Sequence, residues 1–152
     1  MYMFQDKAVA EKRAKEFIEQ VVDTEVVWGL KNAEGWATST SHQDEEIAIL
    51  LFWPSSAAAQ ACATQAWAQY KPGTISLAEF LENWCIGMYH DYCLAGINWD
   101  RNMFGMEVEP LELALQILET LAQKGKELSL AQFNHPAELK AQLQQVLEQE
   151  NG

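Results

Sequence analysis

The sequence predicts an α+β domain: a mainly antiparallel sheet of about four to five strands packed by helices, with two extra helices toward the C-terminal end. Three observations lead there. Stretches with apolar residues at helical spacing alternate with stretches of period two. The first two strand-like stretches, residues 26–30 and 36–40, are separated only by Lys31-Asn32-Ala33-Glu34-Gly35, too short a link for a parallel crossover. A chain of 152 residues, 49% of them apolar and six of them tryptophan, also suits a single core better than a string of small domains.

Each element follows from local chemistry. Residues 9–22 place Ala10, Ala14, Phe17, Ile18 and Val21 on one stripe, with Glu11 four residues ahead of Lys15 on the wet side, so the opening segment reads as an amphipathic helix. Val26, Trp28 and Leu30 alternate to one face, and residues 36–40 return as the partner strand of a hairpin. The continuous apolar run from Ile47 to Trp53 is what a central strand shows when both its faces are covered. Pro54 stops it, and the hydroxyls of Ser55 and Ser56 can cap an alanine-rich helix. In that helix Ala59, Cys62, Ala63, Ala66, Trp67 and Tyr70 recur at helical spacing until Lys71-Pro72-Gly73 ends it.

Ser76-Leu77-Ala78-Glu79 is a capping box, opening a helix whose stripe is Leu77, Phe80, Leu81, Trp84, Cys85 and Met88. Residues 92–99 return to period two, with Cys93, Ala95, Ile97 and Trp99 on one face and Gly96 where another part of the chain comes close. Asp100-Arg101-Asn102 turns the chain toward a short strand near residues 106–108. Pro110 then opens a helix through Leu111, Ala114, Leu115, Leu118 and Leu121, closed at Lys124-Gly125. A last helix from Pro136 carries Leu139, Leu143, Val146 and Leu147. The expected division is an α+β core over residues 1–125 and a helical extension over 126–152 packed on the same domain.

One ordered set of short motifs is familiar: Val26-Val27-Trp28-Gly29-Leu30, Gly35-Trp36, Phe52-Trp53-Pro54-Ser55, then Ser76-Leu77 with Phe80 and Trp84, and Gly96-Ile97-Asn98-Trp99. In order and spacing it resembles the bacterial family known as domain of unknown function 2750, over roughly residues 9–110. The resemblance implies a bacterial α+β domain with no established activity, so it carries over no catalytic residue.

Composition narrows the function. A formal net charge of −12 repels phosphate backbones, which argues against nucleic acid as a partner and suits a protein partner with a basic surface. Cys62, Cys85 and Cys93 form an odd set without Cys-x-x-Cys spacing, as expected of free thiols in a reducing cytoplasm. The first residues lack the basic lead and apolar stretch of a signal peptide, and no apolar run is long enough to span a membrane, so a cytoplasmic protein with no membrane partner is expected. Among the eight glycines no phosphate-binding loop occurs, and no cofactor is called for.

His90, Asp91 and Cys93 put an imidazole, a carboxylate and a thiol within four positions. The plainer reading is that His90 closes the preceding helix, where the dipole favours a cation, and that Cys93 is an inert thiol on an apolar face. No catalytic residue is therefore assigned. His42, His90 and His135 form no liganding pair, and a metal site could be assembled only in three dimensions, from His90, Asp91 and Asp100; none is assigned.

Trp28, Trp84 and Trp99 read as core, whereas Trp36 and Trp53 stand at strand ends beside polar residues and are candidates to line a groove for a partner. A ligand pocket, if formed, belongs where Trp53, Ser55 and Ser56 meet Asn98 and Asp100, with the helix start supplying N–H groups. The leading expectation is a non-enzymatic interaction module of the adaptor, regulatory or immunity kind. The alternative is a small-molecule binder or enzyme with its site near Trp53, Ser55, His90, Asn98 and Asp100. A homodimer through Leu139, Leu143, Val146 and Leu147 is a third expectation.

Overall fold

In a computed structural model, which describes residues 2–151 and the side chains of residues 7–150, the strands form two sheets where the sequence led us to expect one. The chain opens with α1 (Tyr2–Thr24), which buries Phe17 and Val21 from the expected stripe. Strands β1 (Val26–Asn32) and β2 (Gly35–Trp36) make the expected hairpin, with Lys31 opposite Trp36. The second arm then breaks. Ala37 is buried and its N–H donates to the Leu30 carbonyl at 2.8 Å, after which β3 (Thr38–Thr40) joins the other sheet.

Strand β4 (Ala48–Phe52) is central, as its unbroken apolar run implies: Ile49 and Leu51 face one core, Phe52 the other. The alanine-rich helix is shorter than its pattern suggested. α2 (Ser56–Ala61) ends early, a single 3-10 turn follows at Gln65–Trp67, and Lys71-Pro72-Gly73, expected to end the helix, opens a strand, β5 (Lys71–Ser76). It pairs with β1 from Val26 opposite Ser76 to Lys31 opposite Lys71. Pro72 is tolerated in it because β5 lies at the sheet edge, where a missing N–H costs no ladder bond. The expected alternation in β1 also fails: Val27 and Leu30 are fully buried and Trp28 only half so, because β1 lies between the two cores.

The serine half of the capping box forms, with the Glu79 N–H donating to Ser76 Oγ at 3.1 Å. It opens a continuous helical run of α3 (Leu77–Glu79), a π-helical stretch (Phe80–Trp84) and α4 (Cys85–His90). Strand β6 (Leu94–Ile97) lies parallel to β4, and β7 (Met106–Val108) pairs antiparallel with β6. The first sheet therefore runs β2-β1-β5 and the second β3-β4-β6-β7, with β4–β6 the one parallel pair among the described residues. Reciprocal backbone bonds between Trp28 and Trp53, at 2.9 and 2.7 Å, join the sheets.

Helices α5 (Pro110–Gln123) and α6 (Pro136–Asn151) complete the larger core, where Leu118 and Leu121 meet Leu139 and Leu143. Leu139 and Leu143, named above for a second copy, are buried within their own chain. The extension is also tied by Glu82 in the π-helical stretch, whose buried carboxylate accepts the backbone N–H groups of Ala131 at 2.9 Å and Gln132 at 2.6 Å. No described helix is long and apolar enough to cross a membrane.

Candidate functional site

The smaller core gathers Leu30, Ile49, Leu51, Trp53, Ala59, Cys62, Trp67 and Trp99 under α2. Trp99 reaches it through a local reversal. Ala95 and Ile97 face the larger core, and simple alternation would send Trp99 the same way, but Asn98 takes φ +52° and turns the chain over. Asparagine tolerates this left-handed conformation better than most residues because its short amide can bond locally. The close approach expected at Gly96 is real: a side chain there would lie 2.9 Å from the Trp99 ring and 2.6 Å from Leu51.

The Asn98 turn is held from three sides. Its N–H donates to the Phe52 carbonyl at 2.8 Å, and its Nδ2 donates to the Arg13 carbonyl in α1 at 2.9 Å. Arg13 answers with Nε on the Asn98 carbonyl at 2.8 Å and Nη2 on Asn98 Oδ1 at 3.1 Å. The next carbonyl, that of Trp99, accepts from Trp53 Nε1 at 2.9 Å, from Cys62 Sγ at 3.3 Å and from Arg13 Nη2 at 3.4 Å. One turn thus pins α1, α2 and the end of β4 together. Asp100 then stabilises the loop beyond, its Oδ1 accepting the N–H groups of Asn102 at 2.8 Å and Phe104 at 3.2 Å.

Where these elements meet they leave an open cleft of about 330 Å³. Pro54 and Ser55 form one wall, Asn98 to Arg101 another, and Arg13, Glu16 and Gln20 of α1 the third. Of the six residues singled out from sequence, Ser55, Asn98 and Asp100 line this cleft. Trp53 does not: it is 0% exposed and lies beneath, holding the Trp99 carbonyl. Ser56 opens instead on a separate hollow beside Trp28 and Tyr70. Trp36 stands edge-on to Trp84 at 5.3 Å, in a place left free by Gly29 and Gly73. Its ring belongs to the packing of the larger core.

His90, Asp91 and Cys93 lie at the other end of β6 from Asn98 and Asp100, so His90 stands apart from the cleft that Ser55, Asn98 and Asp100 line, and the His90–Asp91–Asp100 metal set is not brought together. His90 and Asp91 are exposed, and Cys93, half-buried against the larger core, donates its Sγ to the Asp91 backbone carbonyl at 3.8 Å. Burial, then the Asp91 charge, raises the Cys93 thiol pKa above its usual value. Burial likewise raises Cys62, outweighing nearby groups that lower it, Arg13 among them. No described cluster of three or more His, Cys, Asp or Glu could hold a metal ion.

Sequence reasoning missed the α1 wall. Arg13, Glu16 and Gln20, spaced three and four apart, necessarily share a helix face, and that signal was present. Nothing in the sequence said that this face crosses the Asn98 turn. Arg101, within Asp100-Arg101-Asn102, signals only a turn.

A family model described as protein of unknown function (DUF2750) matches residues 14–117, which span the cleft except for Arg13. No curated protein and no solved structure matches the chain.

Proposed function

The chain belongs to the family described as protein of unknown function (DUF2750), a description that assigns no activity, and from that premise we propose that it is a binding protein whose small-molecule ligand occupies the Asn98 cleft. The observation that carries this reading is convergence: α1, the start of α2 and the turn after β6, far apart in sequence, place polar side chains around one hollow. At about 330 Å³ the cleft lies at the lower end of the roughly 300–1,000 Å³ typical of small-molecule sites.

Binding is favoured over catalysis by the state of the nucleophiles present. Cys62 donates its thiol to a backbone carbonyl and has a raised pKa, the opposite of an activated thiolate. Ser55 Oγ is occupied as the cap of α2, accepting the Ala58 N–H at 3.1 Å, and no histidine lines the cleft. The free cysteines fit a reducing bacterial cytoplasm as the setting.

A thermal-shift screen of a metabolite library tests the proposal, because a ligand at 100 times its dissociation constant stabilises the fold by about 2.7 kcal/mol. A hit that disappears on filling the cleft with Ala61→Trp supports it. A complete library without a hit removes it. One observation favours a second reading, a basic-surfaced protein partner: the net charge of −12 includes the exposed run Asp44-Glu45-Glu46. The tryptophan argument for that partner weakens, since Trp53 is enclosed and Trp36 is taken up by packing. Recovery of a specific host protein at low salt, lost on neutralising Asp44, Glu45 and Glu46, would favour it over the cleft.

A further inference from the structure

We infer that the cleft selects a small zwitterion of the amino-acid class, an inference that rests on the binding role proposed above. The charges in its lining carry it. Arg13 and Arg101 bring two positive charges, Glu16 and Asp100 two negative ones, so the site is neutral overall while the chain bears −12. A multiply charged anion would approach against the field of the whole protein, whereas a molecule of no net charge avoids that repulsion and still uses both signs in the cleft.

Arg13 is the built anion contact. It is half-buried and held by three backbone or amide oxygens, yet among the described residues it forms no ion pair with a carboxylate. Its Nε and Nη2 are spent on Asn98 and Trp99, and its Nη1 has no hydrogen-bond partner among the described residues. An arginine fixed in this way keeps its plane and lends its free edge to a carboxylate at small entropic cost. Glu16, one helical turn further along α1 on the same face, is the counterpart for an ammonium group. It too forms no ion pair among the described residues. Gln20, a further turn along, bounds the cleft with a neutral amide and leaves space for a short polar side chain.

The test is calorimetric titration of the full chain with the common free L-amino acids, their amides, their N-acetyl derivatives and inorganic phosphate. The inference predicts binding of at least one free amino acid, weakened about tenfold or more in both the amide and the N-acetyl form, since each lacks one charge-assisted contact. Glu16→Gln should weaken the free amino acid but leave the N-acetyl form unchanged, whereas Arg101→Gln, which removes neither assigned contact, should leave the preference for the free amino acid over its amide in place. These two exposed or half-exposed side chains make no hydrogen bonds within the described fold, so both variants should keep the parent melting temperature. Equal binding of the free, amidated and acetylated forms would overturn the zwitterion, as would binding of phosphate alone. A library ligand that is no zwitterion but is lost in Ala61→Trp overturns the ligand class and leaves the binding role standing; no ligand of any kind overturns both.

Discussion

The two ends of β6 invite comparison. Before it stand His90, Asp91 and Cys93, three reactive groups within four positions; after it stand Asn98, Trp99 and Asp100, a less reactive set. Structure reverses their apparent importance. At the first end the imidazole and carboxylate point to solvent, the thiol pKa is raised, and no second element brings a partner. At the second, a left-handed residue ties α1, α2 and β4 through a dense set of hydrogen bonds and leaves a cleft lined by residues far apart in the chain. Closeness in sequence put chemistry together without arranging it, whereas a site needs convergence of separated segments on rigid supports.

That contrast can be broken most forcefully at Trp99. Trp99→Ala should cost about 3–5 kcal/mol in denaturant unfolding, because a fully enclosed indole leaves a cavity beneath the turn. Asn98→Ala should cost about 2–4 kcal/mol, combining the lost amide bonded to Arg13 with the loss of a residue type that tolerates the left-handed region. Asn98→Gly should recover part of that loss, about 1–2 kcal/mol, by relieving the backbone alone. Ser55→Ala, which removes the cap of α2, should cost about 1 kcal/mol.

At the other end the expected effects are small. His90→Ala and Asp91→Ala should each fall within about 0.5 kcal/mol of the parent. Cys93 offers a chemical check. With its thiol pKa raised, less thiolate is present at neutral pH than in a free cysteine, so alkylation by iodoacetamide should be slower than that of a model thiol. The rate should climb with pH to a midpoint above that of the model compound. A midpoint at or below it would restore Cys93 as a candidate nucleophile.

Much of the fold was legible where one local rule dominated. The helix cap at Ser76, Pro110 at the start of α5 and the two-sided apolar run of β4 each behave as their residues dictate. Errors arose where tertiary context overrode pattern. Alanine-rich residues 59–70 carry helical spacing, but Cys62 and Trp67 are drawn into the smaller core by a shorter helix and a 3-10 turn. Lys71-Pro72-Gly73 looks like a stop signal and is an edge strand that covers β1. Residues 36–40 read as one strand and divide between two sheets at Ala37, a step no periodicity encodes. Ser55, Asn98 and Asp100 could be placed together because strand ends and turns collect polar groups. Arg13 could not, since its role depends on which face of α1 crosses the turn.

The most direct measurement is a ¹⁵N-resolved NMR titration with the free amino acids, following the indole N–H signals of Trp53 and Trp99, the Asn98 side-chain amide and the backbone amides of Tyr92 and Cys93 together. Binding in the cleft predicts saturable shifts of the Trp53, Trp99 and Asn98 signals with Tyr92 and Cys93 unmoved. Saturable shifts confined to Tyr92 and Cys93, or none at either end of β6, would contradict the assignment of the cleft as the amino-acid site.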